Sequence, residues 1–400
     1  MRAGRRLSSR LAASVLALGA AGGGLAVVAV PTPAYAVEKG IPCESFATPD
    51  VTEASDPVAL PSDPFAEMGI AEARAAVRRP GAGIDVAVID SGIEGATDRP
   101  AFAGSKPPVK DYHGTTVAGL IRAIAPAVHL IDLPVYVPPA EGSDKPGTVP
   151  GESVRGALDA LLKRRDVDHL IVNMSLDVGP SRALESRVEE LLRRGAVVVA
   201  ATGNVTTSGP HASPAPGADW ADRIAPATYP GVVAVGASLS EDAQGDDISQ
   251  FVLPNSRTTV VAPTYGARSV TLGGRACFVD QTATSWSTAE VSGVLALVAS
   301  AFPRETNTEL VDRLERTAAG RPDEPGRFTG AGVVQAYAAV TRPLAADRSS
   351  RAEVVKRAEV APPKADVLEG TRHDAVWWGL IGGGVLLLGL VLRPLLSRRR

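Results

Sequence analysis

The feature that most constrains this fold is an alternation, along the middle of the chain, between short apolar runs and longer amphipathic segments. The strand-like runs, rich in β-branched residues, are 84–89, 128–137, 169–174, 196–201, 232–235 and 258–261. The helix-like segments are 115–124, 154–165, 183–194, 291–298, 309–317 and 333–341. A regular succession of strands and helices is typical of parallel sheets whose connections cross over the sheet faces. The pattern therefore predicts an α/β fold with one parallel sheet and helices on both of its faces.

The first 36 residues have the layout of a secretory signal peptide. Four arginines among the first ten residues precede an apolar stretch over 11–30, and a small-x-small cleavage site ends at Ala36. An uncleaved anchor helix is the alternative interpretation. We expect the signal peptide to be removed, so that the mature chain begins with an N-terminal extension over 37–63.

A second apolar segment, 375–392, lies near the C-terminus and contains no charged residue. Its length falls within the roughly 17–25 residues that span a bilayer as a helix. Trp377 and Trp378 stand at its outer edge, and the arginines of 393–400 favour the cytoplasmic side. A buried core helix is the alternative, but the glycines of the segment and its terminal position argue against it. The pattern predicts a single-pass cell-membrane protein with a transmembrane helix over 375–392 and a cytoplasmic tail over 393–400.

Residues 342–374 separate this apolar segment from the alternating region. They contain no Phe, Trp or Tyr, many charges of both signs, and a Pro362-Pro363 pair. Such a composition buries too little apolar surface to fold alone. We expect a flexible stalk over 342–374 that holds a folded, extracytoplasmic domain over 64–341 away from the membrane.

Charge and cysteine content limit the partners and cofactors of this domain. The formal net charge is −3 and no basic stripe interleaved with aromatic residues is visible, so a nucleic-acid partner is not expected. The two cysteines, Cys43 and Cys277, favour a disulfide in an exported protein, with free thiols or intermolecular pairing as the alternatives. Two cysteines make no zinc motif, and no acidic loop is specific enough to predict calcium. We expect no metal or other cofactor, with structural calcium left open.

Several polar residues stand where the elements begin or end. Asp90, Ser175 and Asn204 fall at the carboxyl ends of strand-like runs, whereas His113 and Ser285 fall at helix starts. In open α/β sheets, ligands bind at the edge formed by the carboxyl ends of the strands. The five residues are therefore expected to meet at one edge.

Their chemistry is that of nucleophilic catalysis. A serine hydroxyl needs a base, usually histidine, and the histidine needs a carboxylate that fixes its tautomer and stabilises its cation. Asp90, His113 and Ser285 occur in the order Asp…His…Ser, one of the known convergent orders. Asn204 offers a side-chain N–H to a developing oxyanion, beside the N–H of Ser285 itself. Taken singly, each residue also fits a turn, a surface histidine or a helix cap.

Five ordered motifs resemble those of subtilisin-like serine proteases: 89–92, 113–119, 173–176, 201–204 and 284–293. Within that family the chain is most similar to mycosins, the membrane-anchored proteases of type VII secretion systems. This similarity is carried by the run 81–92, by 249–254 with 260–263, by the cysteine-bearing extension and by the C-terminal anchor.

The resemblance implies a membrane-anchored serine endopeptidase that cleaves protein or peptide substrates through an acyl-enzyme. It makes Ser285 the nucleophile, His113 the general base, Asp90 the orienting acid and Asn204 the oxyanion donor. It also implies association with a secretion-channel complex. The alternative is a weakly active or inactive protease homologue with a structural role in such a complex.

The chain departs from the family pattern at three glycines. Ser175 and Leu176 match the strand that binds substrate backbone, but Asp177 replaces the glycine after them, which predicts a preference for basic substrates. Ala283 and Tyr112 replace glycines near the nucleophile and the base. Because glycine permits torsions and close approaches that alanine resists, Ala283 in particular argues for the less active alternative.

Overall fold

The computed structural model describes residues 39–46, 58–60, 62–105, 111–137, 147–165, 167, 169–206, 211–212, 214–215, 217–240 and 247–344. The predicted signal peptide, transmembrane helix and cytoplasmic tail lie outside these residues, as does the predicted stalk beyond 344. The chain divides into a unit over 1–340 and a unit over 341–400, of which only 341–344 are described. Within the described ranges, no helix is both long and apolar enough to cross a membrane.

Six parallel strands form the central sheet. Two short antiparallel strands, β1 (Lys39–Gly40) and β2 (Val58–Ala59), precede it in the chain. The sheet strands are β3 (Asp85–Asp90), β4 (His129–Pro134), β5 (Ile171–Met174), β6 (Val197–Ala201), β7 (Val233–Ser238) and β8 (Val260–Pro263). Their order in space is β4-β3-β5-β6-β7-β8. The chain leaves β3 toward β4 and then crosses to β5 on the other side, so the strand order reverses between β3 and β5.

The α-helices cover both faces of this sheet. They are α1 (Pro64–Glu67), α2 (Ile70–Ala76), α3 (His113–Ile124), α4 (Gly151–Leu162), α5 (Arg182–Arg193), α6 (Thr284–Ala301), α7 (Asn307–Thr317) and α8 (Ala336–Thr341). Val86 and Val88 of β3 pack with α3 and α6 in one core, whereas Ala87 and Ile89 pack with α4 and α5 in the other. Alternate residues of one strand thus enter opposite cores, which is why the sheet strands read as continuous apolar runs.

The predicted parallel sheet with helices on both faces is confirmed, and the differences lie at element ends and in short pairs. Helix α8 starts at Ala336 instead of 333, because Val333 and Val334 pair with Ala319 and Val261 through backbone hydrogen bonds. The antiparallel pair β9 (Arg268–Thr271) and β10 (Arg275–Phe278) was not predicted. Strands of four residues with mixed polarity are too short to show a periodic pattern that could be recognised in a sequence.

The N-terminal extension is joined to this pair by a disulfide. Cys43 and Cys277 are bonded with Cα atoms 4.9 Å apart, which confirms the predicted pairing. The backbone N–H of Phe278 also donates to the carbonyl oxygen of Ile41 at 3.0 Å. The described part of the extension is therefore attached to the chain at Cys277 and Phe278, a few residues before the start of α6.

Candidate active site

Asp90 and His113 meet at the carboxyl edge of the sheet, beside the reversal between β3 and β5. Asp90 is the last residue of β3 and His113 the first residue of α3. The Asp90 Oδ1 atom lies 2.8 Å from His113 Nδ1 and also accepts the Ser91 N–H at 2.6 Å. A carboxylate at this nitrogen places the proton on Nδ1 and leaves Nε2 as an acceptor.

The electrostatics of this pair favour a charged imidazole. Burial of His113 acts to lower its pKa, but the charge and hydrogen bond of Asp90 outweigh burial. The charge of Asp111 adds to the effect, and the pKa of His113 is raised above its ordinary value. Asp111 also accepts the backbone N–H of His113 at 2.8 Å, so it holds the first turn of α3. The site therefore stabilises the imidazolium that a general base becomes.

Ser285 lies in the first turn of α6, and two strand ends hold that turn in place. In the segment after β6, the Asn204 Oδ1 atom accepts hydrogen bonds from the N–H and the hydroxyl of Thr284 at 2.8 and 3.0 Å. From β5, the Ser175 hydroxyl donates to the carbonyl oxygen of Ser285 at 2.7 Å. Asn173 in turn donates to the Ser175 oxygen at 3.0 Å. Ser175 is 5% exposed, and its buried hydroxyl holds the first turn of α6 in position through this bond.

Two hydrogen-bond donors remain available at this helix start. The Oδ1 atom of Asn204 is occupied by Thr284, which leaves the Asn204 Nδ2 group to donate elsewhere. Among the described residues, the backbone N–H of Ser285 has no hydrogen-bond partner, as is usual in the first turn of a helix. The positive end of the α6 dipole adds to both donors. Their arrangement suits a group that develops negative charge.

Trp286, which directly follows Ser285, covers the candidate base. Its ring centroid lies 4.5 Å from that of His113, with 35° between the planes, and the residue is 4% exposed. The contact brings the imidazole to the start of α6. Within the described ranges no hydrogen bond joins the Ser285 hydroxyl to His113; such bonds are often long in unliganded sites and shorten with substrate.

The backbone at the two replaced glycines is ordinary. Ala283 has φ −148° and ψ 144°, and Tyr112 has φ −75° and ψ −21°, both accessible to any residue. The torsions at these two positions therefore do not require glycine. A glycine is required at Gly114 instead, where a Cβ atom would lie 2.5 Å from the carbonyl oxygen of Gly92.

A cleft of about 400 Å³ opens beside His113. It is lined by Asp90, Ser91, Asp111, Tyr112, His113, Tyr136, Val149, Ser175, Leu176 and Asp177. No backbone hydrogen bond occupies Leu176 or Asp177 within the described ranges, although they directly follow β5. Free peptide groups beside a cleft can pair with an extended chain.

Sequence reasoning missed three features of the site. Trp286 and Asp111 could have been predicted to line the site, since each lies within two residues of a predicted catalytic residue. Tyr136 could not have been predicted from the sequence, because only the tertiary structure brings it into the cleft. For metals, no group of three or more His, Cys, Asp or Glu side chains in the described part of the chain could hold an ion.

The chain matches the model of the Subtilase family, Peptidase S8, over residues 81–339, and it belongs to that family. Subtilisin E of Bacillus subtilis (strain 168) is 32% identical over 259 residues, which cover 60% of this chain and 61% of that protein. The chain thus spans about six tenths of the length of Subtilisin E and of Subtilisin amylosacchariticus, which it also matches.

More of the chain is similar to mycosins, as the sequence motifs indicated. Mycosin-4 of Mycobacterium tuberculosis (strain ATCC 25618 / H37Rv) is 27% identical over 360 residues, 80% of this chain and 78% of that protein. The structure of the MycP3 protease from the type VII (ESX-3) secretion system has a TM-score of 0.52 and 26% identity, and the match covers 77% of this chain and 93% of that one. A chain of an intact ESX-5 inner membrane complex shares the fold, with a TM-score of 0.56, 21% identity and coverage of 90% and 94%.

Proposed function

We propose that this protein is a serine endopeptidase that cleaves protein or peptide substrates through an acyl-enzyme. The observation that carries the proposal is the 2.8 Å hydrogen bond between Asp90 Oδ1 and His113 Nδ1 beside the helix start that bears Ser285. Membership of the subtilase family supports the same reaction. Ser285 is the nucleophile, His113 the general base and Asp90 the orienting acid.

In the first half of the reaction, the Ser285 oxygen bonds to the scissile carbonyl carbon while His113 Nε2 takes the hydroxyl proton. The carbonyl oxygen becomes an anion that accepts hydrogen bonds from Asn204 Nδ2 and the Ser285 N–H. The imidazolium then gives its proton to the departing amine as the C–N bond breaks. In the second half, water attacks the ester carbon while His113 takes a proton from the water. The imidazolium then returns this proton to the Ser285 oxygen as the ester C–O bond breaks, which releases the new carboxylic acid.

The segment after β5 is proposed to hold the substrate backbone. Leu176 and Asp177 have unoccupied peptide groups beside the cleft, which suits strand addition by an extended polypeptide. Ser175 contributes through its position in this segment, because its hydroxyl is already bonded to Ser285. An extended substrate laid along the segment passes His113.

We further propose that the enzyme is anchored in the cell membrane with its folded domain outside the cytoplasm. The predicted signal peptide over 1–36 and apolar span over 375–392 support this topology. Similarity to Mycosin-4 and to MycP3 supports a place in type VII secretion, and the fold shared with a chain of the ESX-5 complex is consistent with a secretion-complex partner. Protease added to spheroplasts should digest the folded domain and spare an epitope at residue 400. Protection of both would contradict the topology.

The reaction is tested with a fluorophosphonate probe, which forms a covalent bond with an activated serine. The folded protein should be labelled, Ser285→Ala should abolish labelling, and the matched control Ser186→Ala, on the exposed side of α5, should be labelled like the parent. An unlabelled parent protein with a native circular dichroism spectrum would overturn the proposal.

A structural role in a secretion complex, with weak or absent proteolysis, is the second candidate. The fold that the chain shares with a chain of an intact ESX-5 inner membrane complex is consistent with this role. Complementation separates the two. If a deletion strain fails to secrete and the same strain carrying Ser285→Ala secretes and processes its substrates normally, the structural role is supported and proteolysis is not required.

A further inference from the structure

The cleft beside His113 carries an excess of negative charge. Three carboxyl groups line its 400 Å³, those of Asp90, Asp111 and Asp177. Among the described residues that line it, none is a lysine or an arginine, and His113 is the one base. A cleft of this size lies within the ~300–1,000 Å³ range of ligand sites.

One oxygen in this cleft lacks a donor. Asp90 Oδ2 is buried without a hydrogen-bond partner, and the Asp90 side chain is 3% exposed. Its Oδ1 atom serves both His113 and Ser91, so the carboxylate is half satisfied. A buried carboxylate oxygen is stabilised when a donor reaches it.

The other two carboxyl groups are also poorly compensated. Burial raises the pKa of Asp111, with smaller opposing contributions from the hydrogen bond and charge of His113. Burial likewise raises the pKa of Asp177, and the charge of His211, whose Nδ1 lies 3.8 Å away, opposes it only in part. Arg155 lines the neighbouring cleft together with Asp177, but no ion pair joins the two side chains in the described structure. A cation in the cleft would offset the negative charge of Asp111 and Asp177, which line it together with Asp90.

The walls suit a long alkyl chain that ends in a charge. Leu176, Val149 and Tyr136 are partly buried and supply apolar surface beside the carboxylates. Lysine and arginine pack their methylene groups along such surfaces while the charged end seeks a polar partner. A neutral apolar side chain would fill the same walls but leave the carboxylates unpaired.

We propose that this cleft binds a lysine or arginine side chain of the polypeptide substrate, with Asp177 as the residue that selects the positive charge. The inference rests on the proposed function for its effect on cleavage, but the binding itself does not require catalysis. Asp111 adds its negative charge to the attraction for the substrate cation. Its side chain also accepts the backbone N–H of His113 and so helps to position the candidate base.

Binding is tested on the full chain with Ser285→Ala, which cannot acylate. Hexapeptide mixtures that carry lysine, norleucine or glutamate at one position at a time are compared by fluorescence anisotropy. At one position, lysine should bind about tenfold more tightly than norleucine, as expected for a charge-assisted hydrogen bond. Added salt should reduce the difference. Equal binding of lysine and norleucine peptides at every position would overturn the inference.

The residue assignment is tested by adding Asp177→Asn to that protein. Asp177 lies on an irregular segment with its side chain 39% exposed, so the fold should tolerate the change. Lysine and norleucine peptides should then bind with dissociation constants within about twofold of each other. Asp222→Asn, which removes the same charge from an 84% exposed side chain, should leave the preference intact. An equal loss for lysine and norleucine peptides would overturn the role of Asp177. A lysine preference that survives alongside a failed fluorophosphonate test would reject proteolysis and keep this site.

Discussion

Asp90 and Glu290 are both buried carboxyl groups, 5% and 0% exposed, on elements that carry the candidate site. Asp90 Oδ1 has two donors, His113 Nδ1 and the Ser91 N–H, whereas neither oxygen of Glu290 has any partner in the described structure. Burial, with a further contribution from the charge of Glu67, raises the pKa of Glu290 well above its ordinary value. Burial alone thus makes the charged form of a carboxyl group costly, and only positioned donors stabilise it as a useful anion.

The position of each carboxyl group in the fold explains the difference. Asp90 ends a strand at the edge of the sheet, where a donor from another element can reach it. Glu290 lies in the middle of α6 among core residues, where none does. Substitutions at the site should therefore reduce activity, whereas substitution of Glu290 should raise stability.

Asp90→Asn should lower kcat by about 10⁴-fold, because an amide at this position no longer fixes the His113 tautomer or stabilises its cation. Peptide hydrolysis measures the loss. The unfolding midpoint should change far less than the activity, and a loss of activity that merely parallels a loss of folded protein would contradict a catalytic role for Asp90.

Asn204→Ala should lower kcat by about 10²–10³-fold with little change in KM, since the lost hydrogen bond forms mainly with the transition state. The fluorophosphonate reaction should slow as well. The same substitution removes the acceptor of Thr284, so Thr284→Val serves as the control for a displaced helix start. If both variants lose activity equally, Asn204 acts as a brace and not as an oxyanion donor.

Glu290→Met should stabilise the protein by about 1–4 kcal/mol at pH 8, because an apolar side chain of similar volume replaces a buried, unpartnered carboxyl group. Urea unfolding measures the gain. Glu189→Met, at an exposed position of α5, is the matched control and should change stability by less than about 0.5 kcal/mol. A destabilised Glu290→Met protein would indicate that Glu290 has a partner in solution.

The gain from Glu290→Met should also depend on pH. A folded-state pKa raised above the unfolded value of about 4.3 contributes stability that is complete below that pH and is lost as pH rises through the folded pKa. The parent protein should therefore approach the stability of the variant as pH falls from 8 to 4. Unfolding curves at several pH values measure this, and a gain that stays constant with pH would refute the raised pKa.

The sequence predicted those parts of the molecule that depend on local pattern. Strands β3, β6 and β7 were found within one to three residues of their ends, because a buried parallel strand is a continuous apolar run. Asp90 and His113 were predicted to meet, and they do so at 2.8 Å. That success came from placing each residue at a strand end or a helix start.

Other features escaped because they arise between distant segments. Ala283 was expected to weaken the site because alanine resists torsions that glycine permits, but the torsions that it adopts are open to any residue. No role was predicted for Glu290 from the sequence, and α6 is enclosed on nearly all sides and buries it completely. Ser175 was assigned to substrate binding, and its hydroxyl proves to hold Ser285 from 110 residues away.

By itself, then, the sequence determined the α/β class, the subtilase family and the identity of the candidate Asp, His and Ser residues, because each of these depends on residue type and spacing along the chain. The tertiary structure alone decided that Trp286 covers His113, that three carboxyl groups share one cleft, and that Glu290 has no partner. These features depend on which side chains from separate elements meet. Tertiary packing determines those contacts between residues far apart in the chain, so no local sequence pattern predicts them.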